Sequence, residues 1–105
     1  LAEQELTALV TRQPGTAPEA YVMLAEAERK MGRLEQAMQH VTHALAVAPD
    51  NAAALLERGI IRERKGDAAG ARLDWQKVLD LSPDSHEADM ARQDLAVMAA
   101  DPDSP

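Results

Sequence analysis

Residues 18–51 read PEAYVMLAEAERKMGRLEQAMQHVTHALAVAPDN, and residues 52–85 repeat the same pattern as AAALLERGIIRERKGDAAGARLDWQKVLDLSPDS. The two copies are each 34 residues long and follow one another without a gap. A period of this length is typical of helical hairpins that stack into an array. The identical pairs are Ala20 and Ala54, Gly32 and Gly66, Ala37 and Ala71, Leu45 and Leu79, Pro49 and Pro83, and Asp50 and Asp84.

The shared residues indicate where helices begin and end. Gly32 and Gly66 are expected to end the first helix of each copy, because glycine enters the left-handed backbone region without steric cost. A Pro-Asp pair closes each copy, since proline cannot continue a helix and a following Asp, Asn or Ser can cap the next one. Ala37 and Ala71 lie one turn into the second helix, where a small side chain lets two helices approach closely. Each copy is therefore predicted to be a helical hairpin.

Helical patterns also flank the two copies. Leu6, Leu9 and Val10 share one face of a helix, which predicts the second half of a preceding repeat. We expect a single domain over 1–100, made of a partial repeat helix at 1–13, repeats at 18–51 and 52–85 and a closing helix at 86–99, with a flexible tail at 101–105. About six helices are predicted, at 2–12, 18–31, 35–48, 52–65, 68–81 and 85–99.

The residues at these constrained positions resemble the tetratricopeptide repeat family. The resemblance covers nearly the whole chain and implies an all-α fold of antiparallel hairpins, stacked as a short right-handed superhelix. The chain departs from the family pattern at Glu28, Arg58 and Arg62, where charged residues replace Tyr or Leu. The matching positions are Tyr21, Leu24, Ala25, Ala37, Val41 and Pro49 in the first copy, and Leu55, Gly59, Ala71, Trp75 and Pro83 in the second.

Composition narrows the classes of function. Among 105 residues, 11 Lys and Arg stand against 18 Asp and Glu, and the formal net charge of -7 disfavours nucleic acid and anionic lipid as partners. Cysteine is absent, so the chain offers no disulfide or thiol nucleophile, and the compartment stays open. Because the chain starts at Leu1 in an apparent helix, we expect a fragment of a larger protein. Alanine- and arginine-rich usage favours a bacterial source.

The first helix of each repeat is expected to present one side to a concave groove. A rotation of about 100° per residue separates a packing side from an opposite side, and family arrays usually bind ligands on their concave face. The opposite side carries an apolar track edged by charged residues, which we interpret as a peptide-binding surface. This concave groove is predicted to contain Val22, Met23, Glu26, Leu56, Glu57, Ile60, Arg64, Met90, Asp94 and Val97.

A competing interpretation makes the apolar track part of the core. If the closing helix folds over the groove, or if repeats outside this chain cover it, Ile60 and Met90 become ordinary core residues. The sequence leaves both interpretations open. It speaks more clearly against a carboxylate clamp for an acidic C-terminal tail, since Val22, Glu26 and Glu57 stand where family members build that clamp from Lys, Asn and Arg.

Charged residues on the packing side suggest an ion pair between repeats. We expect Glu28 to pair with Arg58 or Arg62 and so to set the register of the hairpins, the alternative being that these long side chains reach into water. His40 and His43 have a spacing compatible with metal binding, but no third ligand accompanies them, so solvated helix surface is the simpler interpretation. Ser85 is expected to cap the closing helix.

The sequence therefore predicts a non-catalytic module that binds a protein or peptide, with no metal or cofactor. The ligand is expected to be an apolar or amphipathic segment held in the concave groove. Two alternatives remain: a scaffold that self-associates or packs within its parent protein, and a domain like the C-terminal repeats of bacterial cytochrome c biogenesis factors, which recognise the C-terminal helix of an apocytochrome. No glycine-rich phosphate loop or nucleophile elbow suggests an enzyme.

Overall fold

The structure is a computed structural model that describes residues 18–100, and these contain helices without any β-strand. The helices are α1 (Pro18–Lys30), α2 (Leu34–Val47), α3 (Ala52–Arg64), α4 (Ala68–Leu81) and α5 (His86–Ala100). The all-α prediction is confirmed, and each helix begins and ends close to its expected position. The helix predicted over 2–12 and the tail at 101–105 lie outside the described residues.

A glycine in the left-handed backbone region ends the first helix of each hairpin. Gly32 has φ 81° and Gly66 has φ 91°, values that a side chain at either position would strain. After the first, the N–H of Arg33 donates to the carbonyl of Glu28 at 2.8 Å, and the N–H of Gly32 donates to that of Arg29 at 2.9 Å. This pair of hydrogen bonds satisfies carbonyls that the helix end would otherwise leave free.

Polar side chains cap the helices that follow a turn. The side-chain oxygens of Asn51, Asp67 and Ser85 each accept a hydrogen bond from a backbone N–H three residues later. The three donors are the N–H groups of Ala54, Gly70 and Ala88, at 2.9, 2.9 and 3.0 Å. The cap predicted at Ser85 is therefore present. In each of α3, α4 and α5 a side-chain oxygen accepts a hydrogen bond from a backbone N–H of the first turn.

The five helices form two layers. Helix α1 packs on α2 and α3, α3 also packs on α4 and α5, and α4 packs on α5. The first helices of the hairpins, α1 and α3, therefore lie side by side with α5 in an inner layer, with α2 and α4 outside them. Within the described part of the chain no Cα atoms of α1 and α5 lie within 8 Å of each other, so α5 occupies the place of a third first helix.

The core lies between the layers and depends on matched large and small residues. The largest fully buried side chains are Leu24, Val41, Leu55, Ile61 and Val78. Between α3 and α4 the ring of Trp75 lies against the backbone at Gly59, where a Cβ atom would be 2.3 Å from the indole Nε1. The indole N–H points to the carbonyl of Leu56 at 3.4 Å. Ala71, one turn before Trp75, is completely buried.

The described helices are all too short or too polar to cross a membrane.

Candidate functional site

Three apolar side chains of the predicted groove are exposed on the inner layer. Met23 of α1 is 55% exposed, Met90 of α5 is 37% exposed and Val97 of α5 is 71% exposed. Helices α1 and α5 flank α3 on opposite sides, and both carry exposed apolar side chains. Apolar side chains at this exposure on two helices are available for contact with another molecule.

Other groove residues lie deeper than the sequence predicts. Val22 and Ile60 are partly buried and pack against the hydrophobic core. Leu56 is 8% exposed and belongs to the core itself. The reason is that α1 and α5 both pack against α3, which therefore has neighbours on both sides of its inner face. These three residues connect the exposed apolar side chains to the hydrophobic core.

Glu57 is also buried, and its partner comes from the neighbouring repeat. The carboxylate of Glu57 is paired with the guanidinium of Arg29 by two contacts, Nε to Oε2 and, at 3.3 Å, Nη2 to Oε1. Burial raises the pKa of Glu57 above its ordinary value, while Arg29 works in the opposite direction. This pair joins α1 to α3 and withdraws a predicted groove carboxylate from solvent.

Charges on all three inner helices act on one another. Burial raises the pKa of Asp94 on α5, the charge of Glu63 on α3 raises it further, and Arg29 on α1 lowers it. Charges influence each other in this way only at short range in a partly solvated site. Arg29, Glu63 and Asp94 therefore lie near one another. Glu63 is exposed, as are Glu26 and Arg64 of the predicted groove.

The ion pair predicted for Glu28 is wrong. The Oε1 atom of buried Glu28 lies 2.6 Å from Nδ1 of His40, which is in the second helix of the same hairpin. Arg58 and Arg62 instead donate to Asp74 of α4, which is 3% exposed. Each of these packing-side side chains therefore has its partner within its own hairpin, since the second helix lies nearer than the next repeat.

The sequence interpretation missed Asp74 and the contact of His40 with Glu28. Two arginines one turn apart on a packing side require an acceptor, and Asp74, next to Trp75 in α4, could have been identified by that rule. His43 is exposed and its ring stacks on that of Tyr21 with centroids 4.1 Å apart, whereas His40 is half-buried beside Glu28. Within residues 18–100 no three His, Cys, Asp or Glu side chains converge as metal ligands.

Comparison with known proteins agrees with this architecture. The chain is 42% identical over 60 residues to the protein adenylyltransferase fic-1 of Caenorhabditis elegans, covering 57% of this chain and 12% of that protein. It is 38% identical over 64 residues to the fic-1 protein of Caenorhabditis briggsae, covering 61% of this chain and 13% of that protein. The chain thus spans about an eighth of the length of these relatives.

A solved structure and a family model cover more of the chain. The Arabidopsis OM64 TPR domain, TPR denoting the tetratricopeptide repeat, superimposes with a TM-score of 0.79 at 26% identity, covering 91% of this chain and 78% of that one. The family model described as tetratricopeptide repeat matches residues 22–86, which include both hairpins. Helical hairpins of this kind present surfaces to other polypeptides. The chain belongs to the tetratricopeptide repeat family.

Proposed function

We propose that this chain is a non-catalytic interaction module that binds an apolar or amphipathic peptide segment in its concave groove, as part of a larger protein. The observation that supports the proposal most directly is the exposure of Met23, Met90 and Val97 on the inner layer. Methionine is unbranched and polarisable, so it adapts to ligands of varied shape. An apolar or amphipathic segment would remove these side chains from water.

The charges around the groove argue against an acidic peptide tail as the ligand. A clamp for carboxylates needs free cations or amides, and Arg29 is already occupied by Glu57. Glu26 stands exposed beside that pair. A ligand carboxylate placed there would meet the like charge of Glu26, while the guanidinium of Arg29 is already paired.

The proposal can be tested with peptides selected from a random display library on the isolated chain. The matched variants are Val97→Glu and Leu73→Glu, because both side chains are 71% exposed but Leu73 lies on α4 in the outer layer. Introducing a charge into an apolar contact should weaken binding by roughly tenfold or more. We expect Val97→Glu to lose affinity for the selected peptides and Leu73→Glu to keep it.

Circular dichroism would establish that both variants retain their helices. Equal affinity in the two variants would place binding elsewhere and refute the groove. The variant Ile60→Glu is less suitable, because Ile60 packs against the core and its replacement would also affect folding.

Self-association would use the same exposed side chains and is separated by size-exclusion chromatography with light scattering. A monomer at every concentration supports ligand binding, whereas a stable dimer that Val97→Glu dissociates supports self-association. The resemblance to cytochrome c biogenesis domains supplies one specific ligand to titrate, the C-terminal helix of an apocytochrome. Binding of that helix with the same sensitivity to Val97→Glu would identify this role.

A second candidate function follows from the similarity to the fic-1 proteins. The matched 60 residues are 42% identical, so this chain could be the repeat segment of an adenylyltransferase whose catalytic part lies elsewhere in the protein. The repeat would then position a protein substrate or a regulatory segment for that part. The test is to assay the complete protein for transfer of AMP from labelled ATP to protein; lack of transfer would remove this candidate and leave the module standing.

A further inference from the structure

We infer that the concave groove selects a cationic amphipathic segment, in which Lys or Arg residues flank the apolar side chains that contact Met23, Met90 and Val97. This inference rests on the proposed function and names the chemistry of its partner. Two observations support it: the distribution of charge around the exposed apolar side chains and the ion pair between Arg29 and Glu57.

Negative charge is concentrated on the side of the inner helices that carries the exposed apolar residues. Within residues 18–100 there are 14 acidic and 10 basic residues, and helical rotation places 6 of the acidic but only 3 of the basic residues on the groove side of α1, α3 and α5. Three quarters of the net negative charge of this part therefore lies there. The acidic residues are Glu19, Glu26, Glu57, Glu63, Glu87 and Asp94, and the basic ones are Arg29, Lys30 and Arg64.

The ion pair between Arg29 and Glu57 raises the ratio of carboxylates to cations among the remaining groove-side residues. Arg29 and Glu57 neutralise each other below the surface, which leaves five carboxylates and two cations. One of those cations, Lys30, lies 3.9 Å from Glu26 in an exposed contact that water screens strongly. The electrostatic field over the apolar side chains is therefore negative.

Two carboxylates show the effect of that crowding. Glu63 of α3 acts unfavourably on Asp94 of α5, and burial makes the charged form of Asp94 costlier still. A ligand cation near these carboxylates would relieve the repulsion between them. Apolar ligand residues would at the same time cover Val97, which lies one helical turn after Asp94.

The charge of each candidate ligand also distinguishes among the segments that could bind in the groove. A second copy of the chain, with net charge -7, would bring like charges together if it used the same groove. The chain's own residues 101–105, Asp-Pro-Asp-Ser-Pro, contain two carboxylates and no large apolar side chain. A separate segment that is both apolar and basic matches the surface better than either.

The experiment uses three synthetic peptides of about four helical turns, labelled with fluorescein and measured by anisotropy. The first carries Leu on one face and Lys on the other, the second replaces Lys with Glu, and the third keeps Lys but replaces Leu with Ser. We expect the Leu/Lys peptide to bind at least roughly tenfold more tightly than either of the others, with an affinity that falls as salt increases.

Variants of the chain distinguish the groove from general attraction to an acidic protein. Glu63→Gln and Glu26→Gln should each raise the Kd of the Leu/Lys peptide roughly two- to fivefold, as expected for partly solvated charge pairs. Asp80→Asn removes the same charge from the exposed surface of α4 and should leave the Kd unchanged. An equal effect of all three variants would overturn the inference.

The remaining outcomes separate the inference from the proposed function. Equal binding of the Leu/Lys and Leu/Glu peptides, with both abolished by Val97→Glu, would overturn the preference for cations and leave the groove as a peptide site. Equal binding of the Leu/Lys and Ser/Lys peptides would overturn the amphipathic requirement. Binding of neither Leu-containing peptide would overturn both the inference and the proposed groove.

Discussion

Trp75 and Gly59 share one space between α3 and α4. The indole ring lies where a side chain at position 59 would otherwise begin, with its Nε1 atom 2.3 Å from an ideal Cβ. A rigid ring in a close-packed core cannot move aside as a flexible side chain can. The large aromatic in the second helix is therefore compatible only with glycine at this position of the first.

Gly59→Ala is expected to destabilise the chain by about 1–3 kcal/mol, because the added methyl group overpacks the contact with Trp75. Alanine is the better helix former by about 0.5–1 kcal/mol, so without the clash the same change would be stabilising. Urea denaturation followed by circular dichroism measures the difference.

A double-mutant cycle with Trp75→Phe provides the control for that measurement. The smaller ring should relieve part of the clash, so that Gly59→Ala costs less in the Trp75→Phe background than in the natural chain. A stabilising Gly59→Ala, or identical costs in both backgrounds, would show that the ring is not responsible.

Asp74 accepts hydrogen bonds from two arginines on the packing side and so offsets their loss of hydration. It accepts from Nε and Nη2 of Arg58 at 3.0 and 2.8 Å and from Nη1 of Arg62 at 3.0 Å. Hydrogen-bonded charge in this partly buried setting offsets the loss of hydration only while every partner is present.

Asp74→Asn should therefore lower the free energy of unfolding by about 1–3 kcal/mol, since it removes the carboxylate that accepts from Arg58 and leaves Arg62 with Asp67 at 4.0 Å. Asp50→Asn is the matched control, because Asp50 is 73% exposed at its side chain and lies 3.8 Å from Lys77. Its effect should stay below about 0.5 kcal/mol. Similar losses from the two variants in chemical denaturation would contradict the role assigned to Asp74.

At the scale of the element, α5 differs from the inner helices before it. In α1 and α3 the packing side is largely buried by the second helix of the hairpin. The corresponding residues of α5, Asp89, Arg92, Gln93 and Ala96, are all exposed. Within the described residues no helix follows α5 to cover this side, so it stays exposed.

The start of α5 depends on one side chain. The Oγ atom of Ser85 accepts from the N–H of Ala88 at 3.0 Å and donates to the carbonyl of Ser82 at 2.7 Å. Ser85→Ala should cost about 1 kcal/mol and increase hydrogen exchange in the first turn of α5.

Ser82→Ala makes the same chemical change three residues earlier and serves as the control. The side chain of Ser82 takes part in neither bond, since only its backbone carbonyl accepts from Ser85. We expect little change in stability or exchange. Equal protection of α5 in the Ser85→Ala variant and the natural chain would argue against the cap as the element that holds this helix.

At the scale of the whole molecule, carboxylates across the inner layer make stability depend on pH. Burial raises the pKa of Asp94 in the folded chain, with Glu63 adding to it. A carboxyl group whose pKa is raised on folding holds its proton more tightly when folded. It therefore contributes most to stability below its ordinary pKa, and this contribution is lost as pH rises through the raised value.

Asp94→Asn should remove the loss of stability that occurs as pH rises through the raised pKa of Asp94. We expect the variant to gain stability relative to the natural chain at pH 7, by less than about 1 kcal/mol because the site is partly solvated, and to gain less at pH 3. Thermal unfolding at the two pH values measures the change.

The control for the pH measurement is Asp84→Asn, which alters an exposed carboxylate in the turn before α5. Its difference from the natural chain should be the same at both pH values. A larger gain for Asp94→Asn at pH 3 than at pH 7 would reverse the sign of the argument and contradict it.

Local signals in the sequence are sufficient to predict the helices and their order. Gly32, Gly66 and the Pro-Asp pairs act on their own stretch of backbone, through φ and a missing N–H, so their effect is visible without knowledge of distant contacts. The 34-residue period then implies stacking, because an isolated hairpin cannot bury its apolar side.

Which side chains contact one another, and how far each is buried, depends on the packing of helices that are distant in the sequence. Helical rotation places Glu28, Arg58 and Asp74 on packing sides, but it does not measure the distance between helices, and so the partner of each charge was misassigned. The depth of a side chain has the same cause. Met23 and Leu56 occupy neighbouring positions of the repeat on the groove side, yet α3 has an inner helix on each side while α1 has one among the described residues. Burial depends on neighbours that a local pattern does not contain.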